Sequence, residues 1–190
     1  MFPCFAQATA VDVASTGPLD VARDAARDPA ERRAAIESLL LNDETQPLVE
    51  ALASGQDAAL ARLIVQVLLV REQTPAEIFA VPLLDLLARA DEPTLTDLAP
   101  LLARYDSAPV VDRLGSIARN EAASVEARRA AVRALAGKRN QVTAELLIGL
   151  IGDDQPPTLR RVAVDALSQL SGIDQFGVDA EAWRQWWTEH

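Results

Sequence analysis

An eight-residue pattern recurs along this chain at a near-constant interval, and such a period restricts the possible folds more than any local motif does. Arg32-Arg33-Ala34-Ala35-Ile36-Glu37-Ser38-Leu39 aligns without gaps with Arg128-Arg129-Ala130-Ala131-Val132-Arg133-Ala134-Leu135. Both align with Arg160-Arg161-Val162-Ala163-Val164-Asp165-Ala166-Leu167. Arg128 and Arg160 stand 32 positions apart, and Arg32 and Arg128 stand 96 apart, three times that interval. Two looser copies, residues 61–68 and 94–101, occupy the space between.

Each copy reads as one amphipathic helix. Leu159, Val162, Ala163, Ala166, Leu167 and Leu170 fall at i, i+3, i+4, i+7, i+8 and i+11, an apolar stripe of 3.6-residue period. A second stripe follows each of the first four copies: Leu48/Val49/Leu52, Ile78 through Leu87, Val110 to Ile117, and Leu146/Leu147/Leu150/Ile151. Asp28-Pro29-Ala30-Glu31 and Thr74-Pro75-Ala76-Glu77 each offer an N-cap, a proline at the first helical position and a glutamate at N3. Ser107, Ser124 and Asp179 are expected as further N-caps, and Gly137 and Gly152 as stops. Pro82 and Pro100 fall inside expected helices, where proline kinks or breaks the run. The unit is helix, short turn, helix.

Composition agrees with an all-α chain. Of the 190 residues 49% are hydrophobic and only 4% aromatic, and the apolar share is mostly Ala, Leu and Val. Ala and Leu favour helices, whereas strand-rich chains carry more aromatics and Thr. That content excludes disorder over most of the length, and no apolar run nears the ~18 residues that span a bilayer.

A helical hairpin of this size cannot bury its apolar stripe alone, so hairpins must stack. The Trp, Gly and Tyr positions of tetratricopeptide units and the Thr-Pro-Leu-His of ankyrin units are absent. The core Arg-Arg-x-Ala-(Val/Ile)-x-x-Leu resembles the HEAT-repeat (armadillo-like) family in its short bacterial form, over roughly residues 28–190. The period of 32 is shorter than the ~40–47 usual for HEAT units. The resemblance implies an α-solenoid domain over residues 18–190, built of about five hairpins. It also implies that Phe176, Trp183, Trp186 and Trp187, in Phe-Gly-x-Asp-x-x-x-Trp-x-x-Trp-Trp, form a C-terminal capping segment over the open end of the array. An aromatic platform for a sugar, a cation or a partner is the rival reading of that segment.

The same resemblance implies a concave surface lined by the second helix of each hairpin. On it the solvent-facing positions are Glu77, Asp85, Arg89, Arg113, Arg119 and Glu145, mixed in sign as at a polar protein interface. The expected function is therefore a non-enzymatic scaffold that presents this surface to a partner protein or peptide, as a monomer or as a module of a larger assembly. A bilin-lyase-like HEAT protein and a regulatory subunit of an enzyme complex are the alternatives, and a HEAT-like DNA glycosylase is a third.

No residue is assigned a catalytic or metal-binding role, and no cofactor is expected. The single histidine is His190 and the single cysteine Cys4, and phosphate-loop, His-Glu-x-x-His and paired-Cys patterns are absent. Asp43-Glu44 and Asp153-Asp154 lie in expected turns, where carboxylates stay solvated. A formal net charge of -10 speaks against nucleic acid and gives no basis for a membrane partner.

Charge is uneven along the chain. The first 95 residues hold 15 acids and 7 bases, whereas residues 104–139 hold 8 bases and 4 acids. The arginine ladder at Arg128/Arg129 and Arg160/Arg161 either grips anionic groups or pairs with Glu126, Asp153, Asp154 and Asp165, and the pairing is favoured. Residues 1–17 lack a helical period and are expected as a disordered N-terminus or, from the Ala-x-Ala at residues 6–8, a signal-peptide remnant. Cytoplasmic and exported locations both fit.

Overall fold

The computed structural model describes residues 17–190; the expectations placed on residues 1–16 lie outside the described residues. All regular structure in that range is helical: α1 (Pro18–Arg23), α2 (Pro29–Leu41), α3 (Gln46–Ser54), α4 (Ala58–Val70), α5 (Ala80–Leu86), α6 (Glu92–Leu102), α7 (Ala108–Arg119), α8 (Val125–Leu135), α9 (Gln141–Gly149), α10 (Pro157–Ser171) and α11 (Ala180–Glu189). A 3₁₀ turn, Glu77–Phe79, leads into α5. All five copies of the eight-residue pattern lie inside α2, α4, α6, α8 and α10, so the two degenerate copies form the same element as the three clear ones. The second stripes are α3, α5, α7 and α9 with their adjoining turns.

The helices pack in two rows. Along the first row α2 lies on α4, α4 on α6, α6 on α8 and α8 on α10. Along the second, α3 lies on α5, α5 on α7, α7 on α9 and α9 on α11. Between them runs one continuous apolar core from Ala22 to Trp183, dominated by Leu, Ala, Val and Ile. The α10 stripe is buried at Leu159, Val162, Ala163, Ala166, Leu167 and Leu170, so the 3.6-residue period does mark the inward face.

Most of the start signals act as expected. Asp28 accepts from the Ala30 N–H at 2.7 Å, Ser124 from Ala127 at 3.1 Å and Asp179 from Glu181 and Ala182. Two do not. No helix starts at Thr74: its hydroxyl donates to the Arg104 carbonyl at 3.5 Å, and the chain turns only at Glu77, as a 3₁₀ turn. Pro82 falls in the first turn of α5, where its missing N–H costs no intrahelical bond. Ser107 occupies the N-cap position of α7 but donates its hydroxyl to Glu77 Oε1 at 2.6 Å, tying two successive hairpins together. Pro100 is accommodated within α6, which ends two residues later.

The repeated arginine has a repeated partner. Arg32 Nε donates to the Ala22 carbonyl and Arg128 Nε to the Ala118 carbonyl, each at 2.9 Å and each across ten residues. Both acceptors lie in the last turn of the preceding helix, where four carbonyls lack intrahelical partners. Arg160 departs from the pattern and pairs with Asp153 at 2.9 Å.

A second set of cations joins one hairpin to the next. Arg104 donates to the carbonyls of Leu69 at 2.6 Å and Arg71 at 2.5 Å, at the end of α4. Lys138 Nζ donates to the Ala103 carbonyl at 2.5 Å, just past α6, and pairs with Asp106 at 2.7 Å. Arg89 donates to the Leu52 carbonyl in α3. Each places positive charge at the negative end of a helix in the preceding hairpin.

Close approach sets the glycines that matter. Gly55 ends α3 at φ 64, and the Arg89 guanidinium lies within 2.8 Å of where a β-carbon would stand. At Gly115 a β-carbon would lie 2.5 Å from Leu146 Cδ1, which fixes how near α7 comes to α9.

Candidate functional site

The six sequence-selected positions separate into three groups. Glu77, Asp85 and Arg113 come together around one groove between α5 and α7. Glu145 lies in a second recess between α9 and α11. Arg89 and Arg119 join neither: Arg89 is held on the Leu52 carbonyl, and Arg119 is exposed at the last residue of α7.

The α5–α7 groove measures about 470 Å³, with a floor of Ala80, Val81, Leu84, Pro109 and Val110. Glu77, the first residue of the 3₁₀ turn, stands at its edge. Val81 in α5 is 65% exposed, and Ile78 in the 3₁₀ turn is 47% exposed. Asp85 and Arg113 face each other across the groove at 3.4 Å, each about half exposed. Such a pair is worth ~0–1 kcal/mol and leaves both groups free to exchange partners. Glu77 takes part in no ion pair among the described residues; its carboxylate accepts only the Ser107 hydroxyl. Beneath it, Tyr105 is buried, with its hydroxyl donating to the Ala76 carbonyl at 3.4 Å. Burial, and then the Glu77 charge, push the Tyr105 phenol well above its ordinary value, against the pull of Arg104.

The α9–α11 recess, about 540 Å³, is lined by Gln141, Glu145, Ile148, Arg184, Trp187 and Thr188. Glu145 accepts from Gln141 Nε2 at 2.8 Å, and Arg184 pairs with Glu181 at 3.2 Å. The four aromatics of the closing segment have different fates. Trp183 is fully buried, donates Nε1–H to the Gly177 carbonyl at 2.9 Å and meets Phe176 edge to face at 5.1 Å. Trp187 packs half-buried against the core and also lines the recess. Trp186 stacks on His190 at 4.7 Å, with ring planes 11° apart.

Two members of the arginine ladder, Arg128 and Arg160, are already committed within the fold. Arg128 is 4% exposed, with its donors committed to the Ala118 carbonyl and to Gln155 Oε1 at 2.5 Å. Of the expected acidic partners only Asp153 takes part in an ion pair with the ladder, through Arg160. Among the described residues no group of three His, Cys, Asp or Glu stands close enough to hold a metal ion, and no helix is long and apolar enough to cross a membrane.

Sequence reasoning missed Ile78 and Val81, which read there as members of a core stripe, and Trp187 as a neighbour of Glu145. The chain significantly matches no known protein family, no curated protein and no solved structure.

Proposed function

We propose that this chain is a HEAT-like α-solenoid acting as a non-enzymatic scaffold, with the second row of helices (α3, α5, α7, α9, α11) as its partner-binding face. The observation that carries the reading is the convergence of Glu77, Asp85 and Arg113 around an apolar floor on that row. Protein interfaces combine an apolar centre with a polar rim in this manner. The two helix rows, the arginine bond repeated across ten residues and the cations that join one hairpin to the next all support a stacked array. Full burial of Trp183 supports α11 as the element that closes the core, with Phe176 and Trp187 packed beside it. Removing residues after Gly177 is then expected to lower the melting temperature steeply; an unchanged melt accompanied by lost binding would instead make the aromatic segment a binding platform.

The scaffold reading is tested by capture from cells that produce the chain. Full-length protein is compared with a variant reversed at four exposed second-row positions, Glu77→Arg, Asp85→Arg, Arg113→Glu and Glu145→Arg. The unaltered chain should retain a stoichiometric protein partner, and the variant should lose it while melting normally. A partner retained at full strength by the variant would remove the second row as the binding face.

A further inference from the structure

We propose that the groove between α5 and α7 docks one amphipathic helical segment of a partner protein, placing aliphatic side chains on its floor and an arginine or lysine against Glu77. The inference rests on the scaffold reading and adds both the place and the chemistry of the occupant.

The apolar component comes first. Large exposed hydrophobic side chains outside the groove occur one to a segment: Leu41 in α2, Val70 in α4, Val142 in α9 and Val178 ahead of α11. Val81 instead lines a recess together with Leu84 and Val110, and the exposed Ile78 stands three positions before it, outside the lining. A volume near 470 Å³ lies within the ~300–1,000 Å³ of recesses that enclose a ligand. An aliphatic stripe repeating at i, i+3, i+4 and i+7 on an incoming helix fits a groove between two helices.

Charge selects among such helices. Asp85 and Arg113 cancel each other, which leaves Glu77 as the net charge of the rim in a chain whose total is -10. Part of the positive surplus nearest in the sequence is committed elsewhere, although Arg119, Arg133 and Arg139 stay exposed. Arg104 and Lys138, either side of α7 in the chain, donate to backbone carbonyls. The groove therefore offers a carboxylate without a cation, and an incoming Arg or Lys gains a charge-assisted bond there. A second copy of this chain, at a total of -10, would be repelled on average. Residues 1–16 are also unsuited, since they contain Asp12 and no Lys or Arg.

Two synthetic helical peptides test the proposal against the full chain by fluorescence anisotropy. They share one leucine face; the polar face of one is arginine-rich and that of the other glutamate-rich. The arginine peptide should bind about tenfold or more tightly than the glutamate peptide, a difference that shrinks with salt. Val81→Asp should weaken the arginine peptide about tenfold, and Glu77→Gln about threefold. Val81→Asp adds negative charge, so attraction by the overall acidity of the chain predicts tighter binding, and that result would overturn the proposal. Val81→Ser repeats the measurement without a new charge and should also weaken binding. Equal binding of both peptides, or of neither, likewise overturns the groove assignment. The scaffold reading survives those outcomes so long as the second-row reversal still abolishes capture of the native partner.

Discussion

The edges of the first-row helices and the α5–α7 groove both concentrate charged side chains, yet they use them in opposite ways. At the edges Arg104, Arg128 and Lys138 reach helix-end carbonyls and are tied down; Arg128 and Lys138 are nearly inaccessible. In the groove Glu77, Asp85 and Arg113 stay in water around an apolar floor. Within the locally basic stretch Arg104, Arg128 and Lys138 are thus structural cations, whereas the groove rim, with Glu77 beyond the Asp85–Arg113 pair, carries the opposite sign.

Substitutions at the two places should separate these roles. Arg128→Ala is expected to cost about 3 kcal/mol, because it leaves the buried Ala118 carbonyl without a donor and opens a void. Urea denaturation would measure it, and a loss under 1 kcal/mol would show that the repeated arginine bond contributes little. Lys138→Met preserves most of the buried stem and returns Asp106, which is 85% exposed, to water. Only the Ala103 carbonyl loses its partner, so about 1–2 kcal/mol should disappear.

Tyr105 feels charges from both regions: burial and then the Glu77 charge raise its pKa, and Arg104 lowers it. Its folded-state pKa is raised, so the unfolded chain releases the phenol proton first, near the ordinary value of 10.0. The contribution is fully present below that pH and is lost as pH rises above it, at up to ~1.4 kcal/mol per pH unit while the two states differ by one proton. Since the chain has one tyrosine, ultraviolet titration reads this group alone, and Tyr105→Phe should flatten the stability profile above pH 10.0. At the groove, Arg113→Ala breaks only an exposed pair and should change stability by less than ~0.5 kcal/mol. A larger loss in the same melting experiment would mean that the rim holds the fold together and is not free for a partner.

Much of this architecture was legible beforehand because an amphipathic stripe is a local property. The positions that bury in α10 are the ones its 3.6-residue period selects, and all five copies of the repeat fall in first-row helices. Caps at Asp28, Ser124 and Asp179 were legible for the same reason: donor and acceptor lie within three residues. Thr74 starts no helix and Ser107 caps α7 by position alone, because their hydroxyls bond 30 residues away, to Arg104 and Glu77. The three tryptophans looked alike as a helical stripe, but only Trp183 points fully inward, while Trp186 is left to stack on His190.

By itself the sequence determined that the chain is helical, where the repeated helices recur and which stripe of a helix such as α10 turns to the core. Those outcomes depend on spacings of a few residues and on burial of aliphatic side chains. The sequence paired each repeat with the helix after it, whereas α2, α4, α6, α8 and α10 pack against the helix before them. Tertiary structure alone decided where the long cationic side chains end, and which three of the six exposed candidates share a groove. A guanidinium or ammonium on a flexible stem takes whatever carbonyl or carboxylate the neighbouring hairpin brings within reach, and that neighbour lies about 30 residues away in the chain.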